Sequence, residues 1–376
     1  MLFEIRGIGF PNKGAELMLI AVTEQISKHY PDAEYVVDMN YHYLSRAKYG
    51  LYQKIWLSKL GLKSQLLSAI IPLSIKKRLG IKDSKDIDVI IDASGFRYTK
   101  QWGINATNTY MANHIKHWHN QNKKIIFMPQ AWGPFDNSFK DSISKIVKYS
   151  DLLIARDSVS KDNVEKLTGS NNVKHYPDFS NLLQPKAPEF FCITVPDNGV
   201  AIVPNCRMLD KMKKSDAQIY PNILKQFILD LEEKGYTPFF LMHEGVDDEK
   251  IALTINSTLE HKIEILRHDD PLVLKGIISK CEFIIGSRFH ALVSALSQGV
   301  PVISMGWSHK YNLLMQDYGL DEYLIESGVT LGECSILLDR LIAKLEHLKI
   351  TVLDCANIEK DKTKAMWAEV ISVIEK

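Results

Sequence analysis

Short apolar runs alternate with longer segments of helical spacing along most of the chain. The runs lie at residues 2–5, 89–91, 125–128, 152–155, 201–204, 238–242, 263–266, 282–285 and 301–304. Helical spacing follows from about residue 15, and at 107–120, 138–150, 158–168, 217–234, 272–280, 291–298 and 331–347. Such alternation is typical of βα units and a parallel sheet. The pattern therefore predicts an α/β fold with two doubly wound, Rossmann-like domains.

A proline-containing stretch at residues 184–188 is the natural linker between the two halves. We predict an N-terminal domain over residues 1–190 and a C-terminal domain over 191–355. Residues 356–376 have helical spacing and are expected to pack back on the N-terminal domain. A cleft between two such domains is the usual place for a ligand.

The amino-acid composition argues against several classes of protein. Lys and Arg number 46 against 45 Asp and Glu, so no overall field favours nucleic acid as a partner. The five cysteines are odd in number and far apart, which fits neither a disulfide framework nor a metal knuckle. The first residues are too polar for a signal peptide, and no run of 18 apolar residues exists. We expect a cytoplasmic protein without a metal.

The most informative stretch is GSRFHALVSALSQGVP, which follows the apolar run ending at residue 285. A strand-to-helix corner offers backbone N–H groups and the positive end of a helix dipole to an anion. Ser287 is expected to cap the helix, Arg288 to bind a carboxylate or phosphate, and His290 to donate a proton. The alternative is that Arg288 pairs with a carboxylate of the protein and His290 only fills the helix start.

Two other basic residues follow predicted strands. Lys310 comes after the next strand and would add positive charge to the same corner. Arg156 comes directly after residues 152–155 and is expected to reach an anion, while Asp157 or Ser158 caps the helix that follows. Together these residues favour a small ligand with several negative charges.

The N-terminal corner, GIGFPNKGAE, joins the first strand to the first helix. It matches neither a Rossmann fingerprint nor a Walker A loop. Asn12, Lys13 and Glu16, with Gly14 between them, are placed to contact hydroxyls or phosphate across the cleft. A plain tight turn, in which Glu16 only stabilises the first helical turn, is the alternative.

Further strand ends supply candidate contacts to a second substrate. Gly95 and Gln130 each follow an apolar run, and the phrase HEGVDD places His243 and Glu244 after another. Three interpretations of HEGVDD remain open: a divalent-metal site, contacts to sugar hydroxyls, and a solvated loop. The last two are favoured over the metal.

One segment is strongly basic. Between Asp38 and Asp83 the chain has nine Lys or Arg and no acid, interleaved with apolar residues that include Trp56. Residues 46–82 therefore predict either a membrane-surface element or an insertion that covers its own domain.

The motifs NKGAE, DASGF, PQAWGPF, ARDSVS, YPDFS and GSRFHALVSALSQGVPVISMGWSHK occur in this order. In that order they resemble the polysaccharide pyruvyl transferase family over most of the chain. The resemblance implies a GT-B-like pair of domains and transfer of pyruvate from phosphoenolpyruvate to a sugar diol, which forms a ketal. The acceptor would be a cell-surface polysaccharide or a lipid-linked precursor, and no other cofactor is implied.

By this resemblance Arg288 and His290 correspond to the donor-site R-x-H pair, and Arg156 to a further arginine for phosphoenolpyruvate. Lys310 matches a basic position. Relatives often have a run of glycines where this chain has Ala-Ser-Gly95, which leaves the acceptor contacts of this loop open.

We assign His290 as the general acid and Glu16 as the base, with Asp178 and Glu244 as competing bases. Ser287 completes the expected donor site. The expected acceptor contacts are Asn12, Lys13, Gly14, Gly95, Gln130, His243 and Glu244.

Two other functions stay open. One is a GT-B glycosyltransferase that uses a nucleotide sugar, since its second domain would also gather basic residues at strand ends. The other is a non-catalytic binding protein of polysaccharide assembly, attached through residues 46–82 to the inner face of the membrane.

Overall fold

The computed structural model describes residues 1–10, 12–39, 42–55 and 70–376. The chain divides into two units. Unit 1 comprises residues 1–10, 18–179 and 362–376, and unit 2 comprises the described residues 12–17 together with 180–361. The first helix and the last helix therefore contribute residues to both units.

Unit 1 is built on a seven-stranded parallel sheet with the order β3-β2-β1-β4-β5-β6-β7. Its strands are β1 (Leu2–Arg6), β2 (Glu34–Asp38), β3 (Tyr52–Lys54), β4 (Val89–Asp92), β5 (Lys124–Gln130), β6 (Leu152–Ala155) and β7 (Lys174–His175). Its helices are α1 (Lys13–His29), α2 (Tyr43–Lys48), α3 (Leu73–Leu79), α4 (Ile104–Thr107), α5 (Ile115–His119), α6 (Lys140–Tyr149) and α7 (Ser158–Thr168).

Unit 2 has a six-stranded parallel sheet with the order β10-β9-β8-β11-β12-β13. Its strands are β8 (Gly199–Val203), β9 (Thr237–Met242), β10 (Ile265–Arg267), β11 (Phe283–Gly286), β12 (Val302–Met305) and β13 (Leu324–Ile325). Its helices are α8 (Arg207–Lys211), α9 (Lys214–Glu233), α10 (Val246–Asn256), α11 (Pro271–Ile278), α12 (Phe289–Leu296), α13 (His309–Asp317), α14 (Leu331–Ala343) and α15 (Leu345–Glu375).

The predicted fold class is confirmed, because both units are parallel sheets with helical crossovers. Strands β8 and β11 are buried at every residue, as expected for sheets covered on both faces. In unit 2 the strand order reverses direction between β8 and β11. The carboxyl edge beside such a reversal is the usual ligand site of open α/β sheets.

The helix predicted near residues 107–120 is wrong as one continuous element. The structure has α4, then a π-helical turn Asn108–Ala112, and then α5. Part of the reason is a long-range contact, since the Arg6 guanidinium donates to the Tyr110 carbonyl at 2.8 Å. Sequence spacing carries no sign of this contact, because Arg6 lies in β1.

Strand β1 carries a buried cluster of charges in unit 1. Glu4 accepts hydrogen bonds from Arg6, at 2.6 Å, and from Lys54, and Asp38 lies 3.6 Å from Lys54. Burial alone would raise the pKa of Glu4, but Lys54 and Arg6 lower it below its usual value. Two carboxylates therefore balance two cations at one end of the sheet.

The last helix, α15, is anchored in unit 1 through its final turns. Tyr176 donates to Glu369 at 2.9 Å, and the Trp367 ring packs edge-on against Phe179. Within the described ranges, none of the helices combines the length and the apolar character that crossing a membrane requires.

Candidate functional site

The carboxyl ends of β8 and β11 are joined by a buried hydrogen-bond network. Asn205 Nδ2 donates to the Ser287 carbonyl at 2.6 Å, and the Tyr311 hydroxyl donates to the same carbonyl at 3.0 Å. The Ser287 hydroxyl shares a hydrogen bond of 2.8 Å with the Tyr220 hydroxyl. These contacts fix the corner from which Arg288 projects.

The prediction that Ser287 caps α12 is wrong. Arg288 occupies the N-cap position, and it makes no capping hydrogen bond with its side chain. Ser287 is fully buried, and its hydroxyl contacts Tyr220 instead. The partner of Ser287 is set by the tertiary structure, because Tyr220 lies in α9. No local sequence pattern indicates this contact.

Arg288 is held by two carboxylates from the HEGVDD segment. Its Nε and Nη2 donate to the two oxygens of Asp248 at 2.8 and 2.5 Å, and its Nη1 donates to Glu244. The Asp248 side chain is 0% exposed, whereas Glu244 is 25% exposed. Asp248 also accepts from the Cys206 backbone at 2.8 Å, which ties this pair to the end of β8.

His290 lies in the first turn of α12 and packs against the start of α1. A Cβ added at Gly14 would come within 2.2 Å of His290 Nδ1, so only glycine allows this approach. On another side, the imidazole meets the Phe289 ring edge-on, with 5.6 Å between ring centroids. Gly14 therefore contributes to the site by leaving room for the imidazole.

The remaining polar residues at the start of α1 contact one another and the segment before α11, all within unit 2. Asn12 Oδ1 accepts from the Ala15 backbone at 3.1 Å and so caps the helix. Lys13 donates to Glu16 at 3.0 Å and to the Asp269 carbonyl at 2.6 Å. Lys13 thus brings a positive charge to unit 2, although Glu16 compensates it in part.

His243 follows β9 and is 3% exposed. Burial lowers its pKa to about 3, helped by the nearby positive charges of His290, Arg288 and Lys13. The imidazole is therefore neutral at physiological pH. Within the part of the chain that the structure describes, its Nε2 has no hydrogen-bond partner. Unit 2 thus gathers four basic side chains around one corner.

Lys310 lies in the first turn of α13, with its ammonium over three aromatic rings. The ring centroids of Phe289, Tyr311 and Trp307 are 5.1, 5.2 and 5.6 Å from Nζ. Cation–π attraction holds the ammonium beside the Phe289 ring that also contacts His290. The predicted placement of Lys310 after the neighbouring strand is matched.

The other predicted residues lie in unit 1. Arg156 Nη1 is 3.6 Å from Asp178, and both side chains are buried. A Cβ at Gly95 would lie 3.9 Å from the same nitrogen. Asp157 caps α7 by accepting from Ser160 at 2.6 Å, which confirms the capping prediction.

Gln130 is fully buried at the end of β5. Its Nε2 donates to Asp92 at 2.9 Å, and its Oε1 accepts from Ser94 at 3.0 Å. The amide therefore holds the loop after β4, and its contact with an acceptor stays a prediction.

Asp248, Tyr220 and Tyr311 were missed from the sequence. Asp248 had a usable signal, since it is an acid in the first turn of a helix that follows a strand. Tyr220 and Tyr311 had no such signal, because the apolar spacing of their helices indicates only that they are core positions. Among the residues that the structure describes, no group of three or more His, Cys, Asp or Glu side chains is arranged to hold a metal ion.

Comparison with known proteins identifies relatives of the chain. A family model described as polysaccharide pyruvyl transferase matches residues 12–309. The amylovoran biosynthesis protein AmsJ of Erwinia amylovora is 24% identical over 221 residues, which cover 53% of each protein. The chain therefore spans about half the length of this curated relative.

Solved structures resemble the whole chain in fold. Anabaena HepE in complex with UDP has a TM-score of 0.58 and 13% identity, with 99% of both chains covered. The UDP-GlcNAc 2-epimerase of Neisseria meningitidis, bound to UDP-GlcNAc, has a TM-score of 0.58 and 11% identity, with 96% of this chain and 98% of the other covered. At such identities these likenesses show the GT-B-like fold alone.

The contact between Gly14 and His290 yields a first prediction. Gly14→Ala should move the imidazole away from α1 and lower turnover at least about tenfold, because the predicted role of His290 as general acid depends on its exact position. Gly332→Ala is the control, since a Cβ there meets nothing within 4 Å. Equal steady-state rates for both variants would contradict the positional role of Gly14.

The Arg288–Asp248 pair yields a second prediction. Asp248→Asn should lower the free energy of unfolding by about 3 kcal/mol, because the largely buried guanidinium loses the fully buried one of its two carboxylate partners. The neighbouring Asp247, which is exposed and pairs with Lys250, is the control. Asp247→Asn should leave the free energy of unfolding essentially unchanged. Urea unfolding curves of both variants measure the difference. Equal curves would contradict the stabilising role of Asp248.

Proposed function

Because the chain belongs to the polysaccharide pyruvyl transferase family, we propose that it transfers the pyruvyl group of phosphoenolpyruvate to a sugar diol. The product is a cyclic pyruvate ketal, and phosphate is released. The acceptor is a cell-surface polysaccharide or its precursor, which agrees with the name of the amylovoran biosynthesis relative.

The observation that carries this proposal is the basic corner of unit 2. Burial lowers the pKa of His243, and the nearby basic side chains of His290, Arg288 and Lys13 lower it further, so several basic groups lie close together there. The corner also lies at the starts of α12 and α13, where backbone N–H groups favour anions. Phosphoenolpyruvate carries a carboxylate and a phosphate, and therefore suits such a corner.

Glu244 occupies the position on Arg288 that an anionic donor would use. Asp248 takes Nε and Nη2 from a fully buried position, whereas Glu244 contacts Nη1 and is partly exposed. An incoming phosphate or carboxylate therefore exchanges with Glu244 and leaves Asp248 in place. The displaced carboxylate becomes available as a base for an acceptor hydroxyl.

The reaction divides among these groups as follows. His290 gives a proton to the methylene carbon of the donor while one sugar hydroxyl adds to C2 and passes its proton to the departing phosphate. The C2–O bond to phosphate breaks, and Arg288 and Lys310 stabilise the leaving anion. The second hydroxyl closes the ring, and its proton leaves to a base. Glu16 is 3% exposed and paired with Lys13, so Glu244 is the more accessible carboxylate for this step.

Turnover of the donor is the main test. The protein should release phosphate from phosphoenolpyruvate when a suitable glycan is present, and His290→Ala should lower kcat by about 10²–10⁴-fold through loss of general acid catalysis. The exposed His261 is the control, and His261→Ala should leave kcat unchanged. A near-native kcat for His290→Ala would remove its role. Affinity for UDP without affinity for phosphoenolpyruvate, measured by calorimetry, would favour a nucleotide-sugar transferase instead.

The exchange at Arg288 gives a separate prediction. Glu244→Gln should bind phosphoenolpyruvate about fivefold more tightly, because a neutral amide competes less well for the guanidinium, yet kcat should fall through loss of the base. Glu249→Gln is the control, since Glu249 pairs with the exposed Arg267. Calorimetry of the donor with each variant provides the measurement. Unchanged or weaker binding to Glu244→Gln would refute the exchange.

A further inference from the structure

Unit 1 exposes apolar and basic side chains together beside its edge strand, β3. Among them Leu44 is 68%, Leu73 is 67% and Leu79 is 52% exposed. We call this the β3-edge surface, and it consists of Tyr43, Leu44 and Lys48 from α2 and Leu73, Ile75, Lys77, Arg78 and Leu79 from α3, all of them exposed.

Helices α2 and α3 are fixed to the same strand. The Leu51 backbone, which precedes β3, donates to the Arg46 carbonyl of α2 at 3.0 Å. Gln53 in β3 donates from its backbone to the Gly80 carbonyl and from its side chain to the Leu79 carbonyl, both at 2.8 Å. Both helices therefore end beside the same edge strand of the sheet.

The exposure is concentrated. Twenty large hydrophobic side chains are strongly exposed among the described residues, and seven of them lie between residues 39 and 79. Scattered apolar side chains are normal on a protein surface, but a grouped set indicates an interaction site.

The charged residues of this region are all basic. Residues 39–82 contain no Asp or Glu in 44 consecutive positions. The flanking acids already have partners, since Asp83 pairs with Lys76 at 2.7 Å and Asp38 lies 3.6 Å from Lys54. Glu34, further from the segment in sequence, pairs with Lys82 at 2.6 Å. Over the ranges that the structure describes, Lys77 and Arg78 have no carboxylate within ion-pair distance. Their charge is therefore available to an anionic partner.

We propose that the β3-edge surface docks on an anionic lipid membrane. A bilayer interface accepts leucine and isoleucine side chains at its acyl boundary and attracts Lys and Arg to its headgroups. Nucleic acid would use the charges but not the exposed apolar side chains. The other members of the predicted segment, including Trp56, lie outside the described residues and are not needed for this inference.

Docking also bears on the acceptor, a consequence that rests on the proposed function. An enzyme held at a membrane meets glycans that are carried on lipids at high local concentration. The acceptor class is then a lipid-linked glycan rather than a released polymer.

Sedimentation of the full chain with vesicles tests the docking itself. The protein should sediment with vesicles that contain about 30% phosphatidylglycerol and remain in solution with phosphatidylcholine alone, and added salt should weaken binding. Lys77→Glu combined with Arg78→Glu should reduce partitioning at least about tenfold. Leu73→Asp combined with Leu44→Asp should reduce it comparably, since the apolar contribution is lost.

Matched controls lie in unit 2. Ile336 is 60% exposed, and Lys262 is exposed, so Ile336→Asp and Lys262→Glu should sediment like the unaltered protein. Unfolding midpoints establish that all variants are folded. The proposal is overturned if the unaltered protein stays in solution with both vesicles, or if the β3-edge variants bind like the controls. Because vesicle binding needs no donor, failure here is distinguishable from failure of the phosphoenolpyruvate assay.

Discussion

The bidentate hydrogen bond between Arg288 and Asp248 is the interaction on which the geometry of the basic corner in unit 2 depends. A guanidinium at a nearly buried strand end is unfavourable unless a carboxylate compensates it, and Asp248 does so from a fully buried position. The pair fixes the plane of the guanidinium and leaves Nη1 directed at the partly exposed Glu244. His290 follows two residues later in the same corner, so its position is tied to that of Arg288.

Compensation of buried cations by carboxylates recurs in both units, but the degree of burial differs. Asp178 beside Arg156 is 5% exposed, whereas Glu244 beside Arg288 is 25% exposed. An external anion exchanges most easily with a carboxylate that water already reaches, because that carboxylate loses least on leaving. At Arg288, the partly exposed Glu244 is therefore easier to displace than the fully buried Asp248. Under the proposed function, this difference in exposure is what allows an anionic donor to bind at a site rich in acids.

Close approach of backbone to side chain is the second constraint on the site. Gly14 leaves space for the His290 ring, and a Cβ at Gly306 would come within 2.1 Å of the Tyr311 ring. Tyr311 in turn donates to the Ser287 carbonyl that precedes Arg288. These glycines are required because a neighbouring side chain packs directly against the backbone. This packing accounts for them without any contact to a ligand.

The fold class followed from the sequence, because burial on both faces of a parallel sheet produces apolar runs. The main basic residues could also be identified, because polar residues directly after these runs mark the strand ends. The resemblance in motif order likewise needed only the sequence. The partners of those residues did not follow from it. Asp248 lies 40 positions from Arg288, Gly14 lies 276 from His290, and Tyr220 lies 67 from Ser287. Strand order and crossover geometry bring the partners of Arg288 and Ser287 to one edge of the unit 2 sheet, and local spacing carries no record of any of the three contacts.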